Sequence, residues 1–258
     1  MQPMTHRSAT HRSATRRSAT HRSVKDKTII ITGAASGLGR AWALAFAEEG
    51  ADVVAADINE KDLATLPAQG IRHITTDVTS TEQLQQMIEF AVSPHQRIDI
   101  LFNNAGTAFG HTLESAANGL FEKHIAIHLF ACANAMRLVI PIMRSQGYGR
   151  IINTISRNAE FSMPTTSAYA AAKAAMWATS RVTAAEVSDQ DILVNMLIPG
   201  PTNTAIWGRE MTHLQHPDAT IATARMLATL PADGPSGRVF WDEKEYDLFN
   251  PDNKPGDR

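Results

Sequence analysis

Short apolar runs alternate with longer amphipathic stretches along most of the chain. Lys27–Thr32 (KTIIIT) has an unbroken apolar centre, as a strand covered on both faces of a parallel sheet must have. Leu38–Glu49 places apolar residues at helical spacing, and Gly50 follows as a stop. Asp52–Ala56 is a second strand, His73–Thr75 the end of a third, and 81–92 a helix. Ile98–Phe102 is a fourth strand. A long helical stretch is expected over about 113–145, with Pro141 as a boundary or kink. Arg150–Ile155, the helix 167–187, Ile192–Leu197 and a short seventh strand at Val239–Trp241 complete the series. Strands alternating with helices predict right-handed crossovers and one α/β domain, a doubly wound Rossmann-type parallel sheet, over residues 24–249. Ligands of such sheets bind beyond the carboxyl ends of the strands.

Composition changes this picture mainly at the two ends. Residues 1–23 form a tandem pentapeptide (THRSA, THRSA, TRRSA, THRSV) with five arginines and no acid. With no large apolar residue before Val24, this stretch is expected to be a disordered basic tail. A secretory signal is excluded for want of an apolar centre, while a transit peptide or a polyanion-binding arm finds weaker support. The remaining body holds 19 basic and 26 acidic residues, so no nucleic-acid surface is expected. No uncharged apolar run reaches membrane-spanning length, and no membrane partner is expected. The one cysteine, Cys132, fits a reducing compartment and hence the cytoplasm, and its apolar segment suggests a packed thiol. Residues 250–258, rich in Pro, Asp, Asn and Gly, are expected to fray.

Candidate chemistry falls at the strand ends. Gly33, Ser36, Gly37, Leu38 and Gly39 close the first strand and open the first helix. Glycines permit a tight turn and close approach of a pyrophosphate to the helix N-terminus. Asp57, at the end of the second strand, can accept from ribose hydroxyls and would repel a 2′-phosphate, which favours NAD over NADP. Arg40, the nearest cation, is expected to point along the first helix. Tyr169 and Lys173 stand four apart on a helix, and Ser156 lies thirteen residues before Tyr169. Positions i and i+4 share a helix face, and an ammonium beside a phenol stabilises phenolate. The trio can therefore move a proton on or off an alcohol oxygen.

Taken together, these motifs resemble those of the short-chain dehydrogenase/reductase family over roughly residues 25–205. TGAASGLG is similar to that family's cofactor turn, and Asp77-Val78 resembles the pair at its adenine site. Asn103-Asn104-Ala105-Gly106 matches its NNAG element, Ser156, Tyr169 and Lys173 its catalytic trio, and Pro199-Gly200 with Thr202 and Thr204 its PG…T segment. The resemblance implies Tyr169 as general acid/base and Lys173 as its electrostatic support and a ligand of the nicotinamide ribose. Ser156 would donate to the substrate oxygen. Asn104–Gly106 would line the cofactor, and Thr204 would hold the carboxamide. It also implies a small alcohol or ketone substrate and a homodimer or homotetramer.

Departures from the family pattern are informative. His128 stands where the family places an asparagine that supports a helix irregularity and a proton relay. It could serve as a titratable relay, or fill the space while a backbone carbonyl carries the relay. The final strand lacks the family's Gly-Gly turn and reads Gly237-Arg-Val-Phe240-Trp241. Phe161, Met163, Trp207, Ile206 and Met211 are candidates for an apolar substrate wall, and Arg157 and Glu160 for contacts to a polar substrate group. His213 and His216 show no metal-ligand spacing, so no metal is expected. The leading reading is an NAD-dependent alcohol dehydrogenase or carbonyl reductase. Alternatives are an NADP-preferring reductase, a dehydratase or epimerase on the same site, and a non-catalytic cofactor sensor, which would not need the complete trio.

Overall fold

The computed structural model describes residues 23–254 apart from 69, 109, 205, 207 and 209. Trp207 and the repeats in 1–22 therefore lie outside the described residues. Seven parallel strands and one antiparallel edge strand form a sheet in the order β3-β2-β1-β4-β5-β6-β7-β8. They are β1 (Thr28–Thr32), β2 (Asp52–Asp57), β3 (Ile71–Thr75), β4 (Ile100–Asn103), β5 (Gly149–Thr154), β6 (Ile192–Leu197), β7 (Val239–Trp241) and β8 (Lys244–Glu245). The chain runs outward from β1 to β3, then returns to place β4 on the other side of β1. This reversal opens a crevice between the ends of β1 and β4.

Helices cover both faces because the strands are apolar on both faces. One core packs Ile30, Val54, Leu101 and Ile151 against α3 (Thr81–Val92), α5 (Ala131–Gln146) and α6 (Ser167–Glu186). The other packs Ile29, Ile31, Val53 and Phe102 against α1 (Gly37–Glu48) and α7 (Ile221–Ala228), with Phe46 stacked on Phe102 and Trp42 tilted against it. A short α2 (Glu60–Leu63) follows β2, and its N-cap Asn59 accepts the Asp62 N–H. Neither α2 nor β8 announces itself by periodicity, being too short.

The expected helix over 113–145 differs in two ways. Helix α4 (Leu120–Ile125) begins only after Gly119, whose φ of +84° no ordinary helical residue adopts. Ala126–Phe130 is then a π-helical turn, and α5 continues through Pro141 to Gln146 without ending there. By length and composition the run Leu120–Gln146 could cross a membrane. Here its face of Ala131, Cys132, Ala135, Met136, Val139 and Met143 is packed into the core.

At the other end of β5, Arg150 is almost fully buried. It donates to the carbonyls of Leu230 and Asp191 and pairs with the Asp191 carboxylate, tying β5 to the chain after α7. Desolvation of the guanidinium is offset by this full set of acceptors.

Candidate active site

Three strand ends meet at the crevice through hydroxyl and amide side chains. The Thr32 hydroxyl, at the end of β1, donates to the Phe102 carbonyl and accepts the Asn104 and Ala105 N–H groups. Asn104 Nδ2 donates to the Thr32 carbonyl at 3.0 Å, and its Oδ1 accepts from Thr154 at the end of β5. Behind this layer Asn103 donates to Asn153 and Asn153 to Ser180, all buried. Every polar group has a partner, so the network rigidifies the floor of the site. Thr32 opens the TGAASGLG motif, whereas Thr154, Asn153 and Ser180 belong to no motif in the sequence. A threonine ending an otherwise apolar strand was the available signal.

Glycine turn and helix α1 form the cofactor side. A Cβ on Gly39 would sit 2.3 Å from the Gly33 carbonyl oxygen, and one on Gly33 would sit 2.8 Å from Ala105 Cα. Gly33 and Gly37 have φ of +69° and +53°. Ser36 is the N-cap of α1 but makes no capping bond, and no acid lies in the first turn. The N-terminal amides of α1 therefore keep their donor capacity and positive dipole end for an anion. Asp57 Oδ2 accepts the Ala35 N–H and Oδ1 the Asn59 N–H, each at 3.0 Å, which fixes the carboxylate beside the turn. Arg40 reaches the carbonyls of Asp62 and Thr65 on α2 and the turn after it. Asp77 accepts from both the amide and hydroxyl of Thr79, and Val78 is buried at the same rim. The residues present fit a dinucleotide.

Gly200 and Pro199 shape the loop after β6. The Thr202 hydroxyl turns inward to the carbonyls of Pro199 and Gly200, whereas Thr204 lies directly against Gly37. Of the two threonines, Thr204 is the one beside the glycine turn.

On the opposite wall α6 brings Tyr169 and Lys173 beside Ser156. Lys173 is 3% exposed and donates from Nζ to the Thr154 carbonyl at 2.7 Å. Burial pulls its pKa down to about 8. Its Nζ lies 5.6 Å from the centroid of the Tyr169 ring. Burial pushes the Tyr169 phenol above its usual value, and a hydrogen bond with Ser156 pulls it part of the way back. In this state the phenol holds its proton, and the Ser156 hydroxyl is the group beside it that favours phenolate. Cys132 is buried and pushed up to about 12, chiefly by desolvation, which makes it an inert packed thiol.

His128 lies in the π turn and is 1% exposed. Its ring stands edge-on to Tyr169 at 5.2 Å and stacks on buried His124 at 5.8 Å. Burial, then the Lys173 charge, hold its pKa well below 6.5. Its Nε2 is 2.8 Å from the Thr107 carbonyl and 3.4 Å from the Thr107 N–H, so the hydrogen resides on Nε2 and points to the carbonyl. No hydrogen bond joins His128 to Lys173 among the described residues. The ring is thereby held neutral and lies against one edge of the phenol. His128→Asn is expected to leave the acid limb of the pH–rate profile in place; a displaced limb would return His128 to the relay.

The substrate side needs one correction. Arg157 and Glu160, expected to face a polar substrate group, turn instead toward the C-terminal segment: Arg157 donates to Tyr246 and Lys254, and Glu160 accepts from Tyr246, Phe249 and Asn253. Where fraying was expected, Asn253 is thereby held, while 255–258 lie outside the described residues. Phe161 packs under the Arg157 guanidinium and Met163 is half exposed. Met211 donates its N–H to Asn203, and His216 pairs with Asp218 at the surface.

Comparison with known proteins agrees with this geometry. The profile of the short chain dehydrogenase family matches residues 27–215. The chain is 34% identical over 183 residues to a 3-oxoacyl-(acyl-carrier-protein) reductase of Thermotoga maritima, covering 69% of this chain and 74% of that protein. It is 32% identical over 182 residues to a D-beta-hydroxybutyrate dehydrogenase of Rhizobium meliloti, covering 67% and 70%. The fold superposes on a 3-ketoacyl-(acyl-carrier-protein) reductase of Brucella melitensis complexed with NADH, with a TM-score of 0.79 and 24% identity over 84% of this chain and 96% of that one. The motifs, the sheet order and these matches agree: the chain is an oxidoreductase of the short-chain dehydrogenase family.

Proposed function

We propose that this chain is an NAD-dependent dehydrogenase or reductase acting on a secondary alcohol or ketone, with Tyr169 as general acid/base. The observation that carries this reading is the convergence of Ser156, Tyr169 and buried Lys173 on the wall opposite an uncapped helix N-terminus. Ser156 orients the substrate oxygen and shares its hydrogen bond with the phenol. Tyr169, held protonated by burial, donates to that oxygen in reduction and recovers the proton in oxidation. Lys173 supplies an ammonium at the back of the ring and takes its orientation from the Thr154 carbonyl. The nicotinamide, when bound, supplies or accepts the hydride and adds positive charge in its oxidised form. Gly33–Gly39 would hold the pyrophosphate, Asp57 the adenosine ribose, and Asn104–Gly106 and Thr204 the nicotinamide half. His124 and His128 exclude water from one edge of the phenol.

NAD is favoured because Asp57 is fixed at the turn while Arg40 is turned away to α2. The expected result is a lower KM for NAD than for NADP, measured by NADH absorbance over a panel of secondary alcohols and ketones. Asp57→Ala should raise the KM for NAD by about tenfold, the worth of a charge-assisted hydrogen bond. A wild-type preference for NADP would overturn the assignment. The family resemblance also suggests a homodimer or homotetramer, to be measured by light scattering.

A further inference from the structure

Ser156 belongs to neither a strand nor a long helix. It caps a single 3₁₀ turn, Arg157–Ala159, and its Oγ accepts the Asn158 N–H at 3.2 Å. The position of its oxygen is therefore tied to that turn. Both ends of the turn are gripped by one distant stretch of chain. Arg157 Nε donates to the Tyr246 hydroxyl at 2.9 Å and Nη2 to the Lys254 carbonyl at 2.7 Å. The Glu160 carboxylate, whose side chain is 4% exposed, accepts the Tyr246 O–H at 2.5 Å, and the Phe249 N–H and Asn253 Nδ2–H at 2.8 Å each. One hydroxyl, that of Tyr246, thus accepts from Arg157 and donates to Glu160.

The same stretch reaches the helix that carries Tyr169 and Lys173. Phe249 stands edge-on to Trp177 at 4.8 Å, and Trp177 lies one turn beyond Lys173 on α6. Phe249 has a φ of +68°, uncommon for a bulky residue, and its N–H bond to Glu160 and ring contact to Trp177 hold it there. Arg157 lies over the rings of Phe161, Trp241 and Tyr246 at 4.5, 4.9 and 5.3 Å. This stretch follows residue 215, where the family match ends. The glycine turn, by contrast, is built by β1, α1 and Asn104.

We propose that Tyr246–Asn253 is a brace that sets the Ser156 hydroxyl against Tyr169, with Arg157, Glu160 and Tyr246 as positioning residues for the substrate oxygen. The proposal rests on the reading of Ser156 given above. Charge-assisted bonds out of water are strong and directional, and small misplacements of a reacting group carry large rate penalties.

Tyr246→Phe keeps the ring and removes the shared hydroxyl. It is expected to lower kcat on the order of tenfold, with the Kd for NADH, by fluorescence titration, unchanged. Amide hydrogen exchange at 156–161 should speed up while β1 and α1 stay protected. Glu160→Gln should behave alike, and Glu160→Asp, which keeps the charge, should recover part of the rate. Asn253→Ala, at a partly exposed position, gives a smaller effect of the same kind and decides the matter if Tyr246→Phe does not fold. Wild-type kcat and exchange in Tyr246→Phe and Glu160→Gln would overturn the brace. So would exchange that quickens equally in β1 and α1 with NADH affinity lost, since that marks a general folding role. A wild-type chain that turns over none of the alcohols or ketones removes the functional reading, and hydrogen exchange then judges the brace alone.

Discussion

Tyr169→Phe is expected to reduce turnover by about 10²- to 10⁴-fold, the usual contribution of a positioned general acid/base, while cofactor binds within a few-fold of wild type. The separation follows from geometry. In the proposed site the phenol oxygen would meet Ser156 and the substrate, whereas the cofactor would be held by the glycine turn, Asp57 and the Asn104 element across the crevice. The ring itself is kept by Phe, so the edge contacts with His124 and His128 persist and the stability change should be small. Steady-state rates beside fluorescence titration of NADH check both halves. Retained activity would remove Tyr169 from the proton step. The raised phenol value adds a directional test: with burial opposing phenolate, the oxidation direction should gain rate as pH rises, until loss of the Lys173 proton near pH 8 withdraws the supporting charge.

What could be read from the sequence was what is local in the chain. The glycine turn follows a buried strand within one βα unit, and Tyr169 and Lys173 share one helix turn, so spacing alone brings them together. Strand existence was legible for the same reason, because a run such as TIIIT is apolar on both faces. Tertiary partners were not. Arg157 and Glu160 meet Tyr246 across 89 and 86 positions of chain, and nothing in either segment marks the other. Side chains that looked available to a substrate were therefore already used. Thr154 is unremarkable in its own strand, and joins Thr32 and Asn104 in a network only through the order β1-β4-β5. The start of α4 was hidden because residues 113–118 have helical composition and only Gly119 breaks it. The charge state of His128 depends on burial that periodicity does not report.

Gly39→Ala is expected to cost more than any other single methyl added to the cofactor side. Its Cβ would lie 2.3 Å from the Gly33 oxygen, 2.8 Å from the Gly33 carbonyl carbon and 2.9 Å from Asn104 Nδ2. Two of these atoms are backbone, and the third holds the Thr32 carbonyl, so no flexible side-chain end can yield. Helix α1 must back away from the turn, opening its packing on β1 and breaking the Asn104 bond. Overpacking of this kind costs about 1–3 kcal/mol, which lowers Tm by about 2–4 °C for each kcal/mol in a domain of this size. The N-terminal amides of α1 move with the helix, so cofactor affinity should fall by at least about tenfold, since 1.4 kcal/mol of lost binding is that factor. Gly119→Ala separates the two effects. Gly119 has φ of +84° with nothing within 4 Å of the added Cβ, so it carries backbone strain alone, far from the glycine turn in the chain. It should lose Tm and keep NADH affinity. Equal affinity losses in the two variants would mean that the close approach of α1 to β1 is not what shapes the cofactor site.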